Sequence, residues 1–435
     1  MSKKNKSAKR GAKRRLSPVA LVLGLIVLLA LAGLLLLRYQ HRVPYQSWWD
    51  QYMGQTKTVS QESQSPAETE TEGESEAASA DLTAPAEEPS SVPAATPEPT
   101  PEPTPEPTAE PVHYTIAEDA HEGPAPDERC YGTVSMDEPE KILEVIQQAR
   151  DMGLLGPDET VAFDPTVTFY RGVNAREIEY YLDETILAIL WKENIDGYCC
   201  TFTEVKVADP SQFRRKLADD TFDSPNQYYA SDLAVQTKAV VAMNADFYRF
   251  RDVGIVAADR QLYRMNMGTY TGSYKLYNCV ETLFVDAKGD FHYKRLGEEN
   301  TEESIRQYMA DNDILFSIAF GPVLVEDGEP LSCTWYPVGE VLQGYSRAGI
   351  GQMGPCHYLY MSLNHGDQTA RWTVDQFAKH FADKPVLTAY CLDGGQTEEV
   401  VFRGQAYNYM DWGKERVVSD IIYFVTAIPE DARES

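Results

Sequence analysis

Behind Thr373, apolar residues recur at Val374, Phe377, Ala378 and Phe381. That is the i, i+3, i+4, i+7 spacing of an amphipathic helix with a hydroxyl cap. Ile142, Leu143, Val145, Ile146 and Ala149 predict a second helix over 135–153, opened by Asp137 and Glu138 and closed by Gly153. Shorter helices are expected at 231–238 and 302–311. Elsewhere the apolar runs are short and bounded by turn residues, as strands are. They fall at 185–191, 198–207, 239–243, 314–320, 323–325, 357–363, 385–392 and 421–425. Runs at 282–285 and 291–293 flank Lys288-Gly289-Asp290, a hairpin signal, and Asp327-Gly328 is a tight turn. Strands outnumber helices and do not alternate with them. The expected class is α+β, with mixed β-sheets and a few helices, not a doubly wound fold.

The N-terminal quarter follows another pattern. Residues 19–37 are apolar or small and carry no charge. At about 1.5 Å per residue they nearly span a hydrocarbon core of roughly 30 Å. Eight Lys and Arg precede them, from Lys3 to Arg15. This asymmetry predicts a basic cytoplasmic tail (1–18), a single-pass transmembrane helix (19–37) and an extracytoplasmic remainder at the cell membrane. The rival is a signal peptide cleaved after Ala30-Leu31-Ala32, but the apolar run continues through Leu37. Residues 38–112 read as a stalk rich in Pro, Glu and Thr, with Pro-Glu-Pro-Thr three times in tandem from Pro97. Such a segment has too little apolar surface to fold, and proline and like charges keep it extended.

Charge sharpens this division. Residues 1–50 carry +9, residues 51–112 carry −12 and residues 113–435 carry −25, which recovers the net −28. An acidic folded part argues against nucleic acid as a partner, since its binders present basic faces. Seven cysteines are an odd number and too few for a disulfide framework in a chain this long.

Four segments concentrate polar chemistry at the ends of apolar runs. Asn244-Ala245-Asp246-Phe247-Tyr248 joins an amide, a carboxylate and aromatics. Gly321-Pro322 interrupts a strand pair. Ser346-Arg347-Ala348-Gly349-Ile350-Gly351 sets one guanidinium, suited to phosphate or carboxylate, among glycines. Leu392-Asp393-Gly394-Gly395-Gln396-Thr397 brings a carboxylate, two glycines and a hydroxyl together at a strand end. Each segment alone is also compatible with an ordinary turn or ion pair. There is no Gly-x-Ser-x-Gly elbow, no His-Glu-x-x-His and no Gly-Lys-Ser phosphate loop. None of the seven histidines has metal-ligand spacing with another.

Taken in order, the four segments resemble the phosphodiester glycosidase family over roughly 182–428, with 113–181 an unassigned N-terminal part of the head. The departures are Gln396 in place of a third glycine, Thr397 for Ser, and Ala348-Gly349 for Thr-Ala. The resemblance implies hydrolysis of a sugar-1-phosphodiester; joined to the apolar run at 19–37, it gives the expectation of a membrane-anchored extracytoplasmic hydrolase acting on a surface or exopolysaccharide glycan. Asp246, Asp393 and Arg347 are then the catalytic candidates, with the choice of carboxylate open. Asn244, Tyr248, Gly321, Gly394, Gly395 and Thr397 are candidate substrate contacts. N–H groups near Gly394 and Gly395 would join Arg347 in stabilising the phosphate. No cofactor is implied, and a divalent metal is allowed but not required. The alternative is a non-catalytic glycan-phosphate-binding module or a wall-assembly scaffold on the same fold.

Overall fold

A computed structural model describes residues 113–251, 254–266, 281–294, 301–333, 344–364, 372–408 and 413–433. The tail, the membrane helix and the stalk expected over 1–112 lie outside these residues. Among the described residues no helix is long and apolar enough to cross a membrane.

The largest sheet has nine strands. In spatial order they are β1 (Tyr131–Val134), β2 (Ile178–Leu182), β3 (Ile186–Ile195), β4 (Tyr198–Val207), β15 (His357–Asn364), β14 (Arg347–Gly354), β16 (Thr388–Leu392), β12 (Val323–Glu326) and β13 (Glu329–Pro330). A second sheet runs β18 (Gln405–Ala406), β17 (Val400–Phe402), β6 (Val241–Asn244), β19 (Asp420–Phe424) and β5 (Phe213–Leu217). A three-stranded sheet of β10 (Phe291–Lys294), β9 (Thr282–Asp286) and β11 (Ile314–Ile318), and the pair β7 (Gly254–Ala258) and β8 (Gln261–Asn266), complete the strands. Every described ladder is antiparallel. With four helices among the described residues, the sheet-dominated α+β class holds.

Successive side chains point to opposite faces, and the central strands are buried on both. Leu190, Val205, Ile350, Tyr358 and Tyr390 face Val241, Met243, Val400, Ile422 and Phe424 in the core between the two large sheets. The opposite face of the first sheet packs under α1 (Lys141–Asp151) and α4 (Val374–Ala382). The outer face of the second packs under α2 (Ala230–Gln236), and α3 (Glu302–Asp311) lies on the small sheet. Burying each of Val374, Phe377 and Phe381 contributes about 1.5–3 kcal/mol. Thr373 caps α4, its side chain accepting from the Gln376 N–H while the Gln376 side chain accepts from the Thr373 N–H.

Two expectations change here. Segment 346–351 is the start of a strand, and its glycines serve packing. A Cβ on Gly349 would lie 3.0 Å from both the Phe381 ring and the Tyr390 carbonyl, and one on Gly351 would lie 2.9 Å from Val386. Glycine therefore lets α4 settle onto β14, rather than admitting a ligand. The boundary expected at 182 falls inside β2, because residues 131–182 add two strands and a helix to the same sheet.

Candidate functional site

The C-terminal ends of β6 and β16 and the N-terminal ends of β14, β17 and β19 meet at one end of the two large sheets. Pairing of Ala348 with Leu392 places Arg347 and Asp393 next along the ladder, on neighbouring strands. A Cβ on Gly394 would be 2.6 Å from the Ser346 carbonyl and 3.5 Å from the Arg347 Cα. The two chain ends are therefore in contact. The sheets are joined here as well: the Asp393 N–H donates to the Ala245 carbonyl at 3.2 Å, and Asn244 Nδ2 donates to the Asp393 carbonyl at 2.6 Å.

Asp393 is 9% exposed. Thr397 Oγ1 donates to its Oδ2 at 2.6 Å, and the Gly394 N–H donates to its Oδ1 at 2.9 Å. Burial pushes this carboxyl up to about 6, while Thr397, Arg251, the Gly394 N–H and Arg416 pull the other way. It is thus a carboxyl poised to exchange a proton near neutrality. The buried Arg347 guanidinium donates from Nε to the Trp372 carbonyl at 3.4 Å and lies 5.5 Å from the Tyr345 ring centroid. Arg347, Asp393 and Arg251 all act on the Cys391 thiol, which burial raises to about 12.

Other sequence-predicted residues occupy supporting positions. Asn244 Oδ1 accepts from the Tyr360 hydroxyl at 2.9 Å and the Glu399 N–H at 3.2 Å, so its amide joins three strand ends. Asp246 accepts from the Phe247 N–H at 2.6 Å and the Ala319 N–H at 2.9 Å, with the Arg215 guanidinium 3.5 Å from Oδ2. That guanidinium lies 2.7 Å from Asp420. Burial opposes the charge on Arg215, and Asp420 with Asp246 overcomes it. Tyr248 is 3% exposed, stacked on Phe222 at 5.4 Å, so its ring has no face to offer a sugar. Thr397, equally buried, holds Asp393 and does not face outward.

The glycine readings change for the same reason. The Gly394 N–H donates to its neighbour Asp393, the Gly395 N–H donates to the Ser346 carbonyl at 3.1 Å, and the Gly321 N–H donates to the Cys391 carbonyl at 3.1 Å. These donors hold the strand ends together and do not form an anion cradle. Gly321 and Gly395 have φ of +74° and +69°, the left-handed region that favours glycine.

Sequence reasoning missed Arg251, Arg416 and Glu399. Arg251 donates to the Ala319 and Phe320 carbonyls at 3.1 Å, and Arg416 lies 5.5 Å from the Phe250 ring centroid. Both depress the Asp393 carboxyl. Glu399 is raised to about 9 by burial and by Glu415, and is therefore a neutral acid at pH 7. None sits in a turn-rich motif; the signal for Arg251 was its closeness to Asp246 in the chain. Among the described residues no group of three or more His, Cys, Asp or Glu is arranged to hold a metal ion.

Residues 237–425 match the phosphodiester glycosidase family profile. That stretch is similar to a phosphodiester glycosidase domain. The match contains β6, β14, β16 and both Arg347 and Asp393. A phosphodiester glycosidase is a hydrolase, and hydrolysis is the reaction class the family brings. The chain is 24% identical over 218 residues to the SPbeta prophage-derived uncharacterized protein YomE of Bacillus subtilis (strain 168), covering 49% of this chain and 32% of that protein. It thus spans about a third of that relative's length. Among solved structures it is similar to the zebrafish N-acetylglucosamine-1-phosphodiester alpha-N-acetylglucosaminidase catalytic domain auto-inhibited by its pro-peptide (TM-score 0.41, 16% identity, 59% of this chain and 86% of that one). A hypothetical protein from Synechocystis gives a TM-score of 0.41 at 16% identity, over 57% of this chain and 64% of that one.

Proposed function

We propose that the domain hydrolyses a sugar-1-phosphodiester, breaking the bond between the anomeric carbon and the phosphate oxygen. The supporting observation is the placement of Arg347 and Asp393 on adjoining strand ends, with Arg251 and Arg416 acting on the same carboxyl. Water attacks the anomeric carbon and its proton passes to Asp393. The carbon–oxygen bond breaks, and the phosphate monoester leaves with the electron pair. A carboxyl near 6 is mostly ionised at pH 7, which suits the base role. The monoester is already a stabilised anion, so a guanidinium serves its departure better than a strong acid. Asp246, held by Arg215 and two backbone N–H groups, shapes the site and leaves the base role to Asp393.

The natural setting belongs to the same proposal: a head tethered by 19–37 outside the cytoplasm, acting on surface or exopolysaccharide glycan. The +9 and −12 charge blocks around the apolar run support it. Protease added to intact cells should remove the head and spare the basic tail; a fully protected head would overturn the topology.

Arg347→Ala should lower kcat/KM on a glycosyl phosphodiester by about 10²–10³. Asp393→Asn should lower it by about 10²–10⁴, with circular dichroism unchanged. Wild-type turnover in both variants would remove the assignment. Saturable binding without product in the wild type would replace the hydrolase with the binding module.

A further inference from the structure

The apolar run of β3 breaks at Lys192, whose side chain is nevertheless buried, at 1% exposure. Leu190 faces the second sheet, and Lys192, two residues on, points the same way. Strand pairing explains how a charge comes to stand there. β2 reaches along β3 only as far as Leu190, opposite Glu179. Beyond it an earlier loop takes over: Phe169 pairs with Glu193, the Tyr170 N–H donates to the Lys192 carbonyl at 2.9 Å, and the Asn194 N–H donates to the Thr168 carbonyl at 2.7 Å. The loop then turns through Asn174, at φ +62°, before β2 begins. A cavity of about 460 Å³ opens beside this turn, and Asn174, Arg176, Lys192, Tyr407 and Asn408 are among the residues that line it.

The charge around the cavity is unbalanced. Lys192 Nζ donates to the Asn174 carbonyl at 2.9 Å and lies 5.1 Å from the Tyr407 ring centroid, which leaves two of its three N–H donors unspent. Among the described residues no carboxylate pairs with it. Arg176 lies 4.8 Å from the same centroid and donates to the Ala406 carbonyl at 2.9 Å and to Glu179 at 2.7 Å. Two cations against one carboxylate leave a surplus of +1, in a head whose own charge is −25. Burial, with Arg176 beside it, lowers Lys192 to about 8, because an ammonium withdrawn from water without a counter-ion is costly. An anion in the cavity restores that counter-ion, and a single surplus charge matches a monoanion. The volume is that of a small-molecule site.

The cavity is also remote from the reaction. Lys192 pairs with Thr201, Thr201 with Ser362, Ser362 with Ala348 and Ala348 with Leu392. Four strand spacings of about 4.8 Å put about 19 Å between Lys192 and Leu392, the residue before Asp393. We propose that Lys192 and Arg176 form a second, non-catalytic anion site, which takes the carboxylate of a small organic acid about the size of one uronic acid or one acylated amino acid. The site stands whether or not the domain is a hydrolase.

The test is calorimetric titration of the full chain at pH 7 with glucuronate and N-acetylalanine as acids and glucose as the neutral analogue. At least one acid should bind ten times more tightly than glucose, and which one binds identifies the source of the carboxylate. Lys192→Met should weaken that acid at least tenfold, and Arg176→Gln at least threefold. Lys192→Met removes an unpaired buried charge, so its urea midpoint should equal or exceed that of the wild type. Acetic anhydride at pH 8 labels the free amine of Lys192, and the acid at saturation should slow this labelling at least fivefold by mass spectrometry. Methyl phosphate, mainly a dianion, should protect Lys192 no better. Neither acid binding more tightly than glucose, labelling of Lys192 unaffected by the acid that binds, or stronger protection by methyl phosphate would overturn the site. If Lys192→Met does not fold, Arg176→Gln and the labelling of the wild type decide.

Discussion

At Asp393, burial and hydrogen bonding act in opposite directions, and the result can be read by titration. The base role requires the ionised form, so kcat/KM should rise with pH along a limb centred near 6. A profile falling through that region would assign Asp393 as an acid instead. The same group has a consequence for stability. Its folded value, about 6, lies above the ordinary 3.8, so between these values the folded state binds more protons than the unfolded one. Stability therefore declines as pH rises through this window, by up to about 3 kcal/mol for two pH units of displacement. Asp393→Asn keeps an acceptor for the Gly394 N–H and reverses the Thr397 contact, its amide donating to the hydroxyl that now donates to Asp393, without the charge. It should be more stable than the wild type at pH 7.5 and equal to it near pH 4, as measured by urea midpoints. A destabilised variant at pH 7.5 would contradict the burial argument. Asp393 and Arg347 stand out in the chain because each interrupts an apolar run. Asn244 and Tyr248 do so too, but their partners, Tyr360, Glu399 and Phe222, come from distant segments and claim the polar and aromatic faces first.

Among the elements, α4 was fully legible and β14 was not. The helix announces itself through one apolar stripe and its cap. The strand, Arg-Ala-Gly-Ile-Gly-Gln-Met-Gly, has glycines on the face that α4 covers, so the side-chain alternation of a buried strand is missing on one side. Likewise β5, Phe-Arg-Arg-Lys-Leu, reads as solvated surface, because the carboxylates of Asp420 and Asp220 that pair with its cations are remote or follow in the next turn. The β14 argument makes a prediction. Gly351→Val places new atoms against Val386 and the Thr388 carbonyl, and overpacking of this kind costs about 1–3 kcal/mol. Thermal unfolding should show the loss, and a midpoint unchanged from wild type would mean that α4 does not need the glycine. Arg347 begins this strand, so kcat should fall with it.

For the domain as a whole, residues before the family match are fastened by a buried ionic clasp. His357 Nδ1 lies 2.9 Å from Glu159 and Nε2 lies 2.8 Å from Glu204, while Lys206 reaches Glu159 at 2.8 Å. Glu204 also accepts from the Ala162 and Phe163 N–H groups at 3.0 Å. Burial opposes a charged imidazole, but the two carboxylates override it and raise His357 above its ordinary 6.5. The stabilisation is complete below 6.5 and disappears as pH rises through the folded value. Glu159, despite its burial, is held down at about 2 by His357 and Lys206, so its contribution is present above 4.5 and is lost toward pH 2. His357→Gln leaves Glu204 buried without its cation and should lower stability at pH 6 by about 3–5 kcal/mol. In urea unfolding the gap should narrow at pH 9; a gap independent of pH would indicate packing alone. No motif marks this clasp, because its members are separated by up to 198 positions.

The nine-stranded sheet ends at β13, only two residues long, in Glu329 and Pro330. Proline has no N–H to offer an incoming strand, and the glutamate adds repulsion between like chains. This border is therefore a poor template for runaway self-association. A strand-rich head can then be crowded against copies of itself without seeding fibrils from that side.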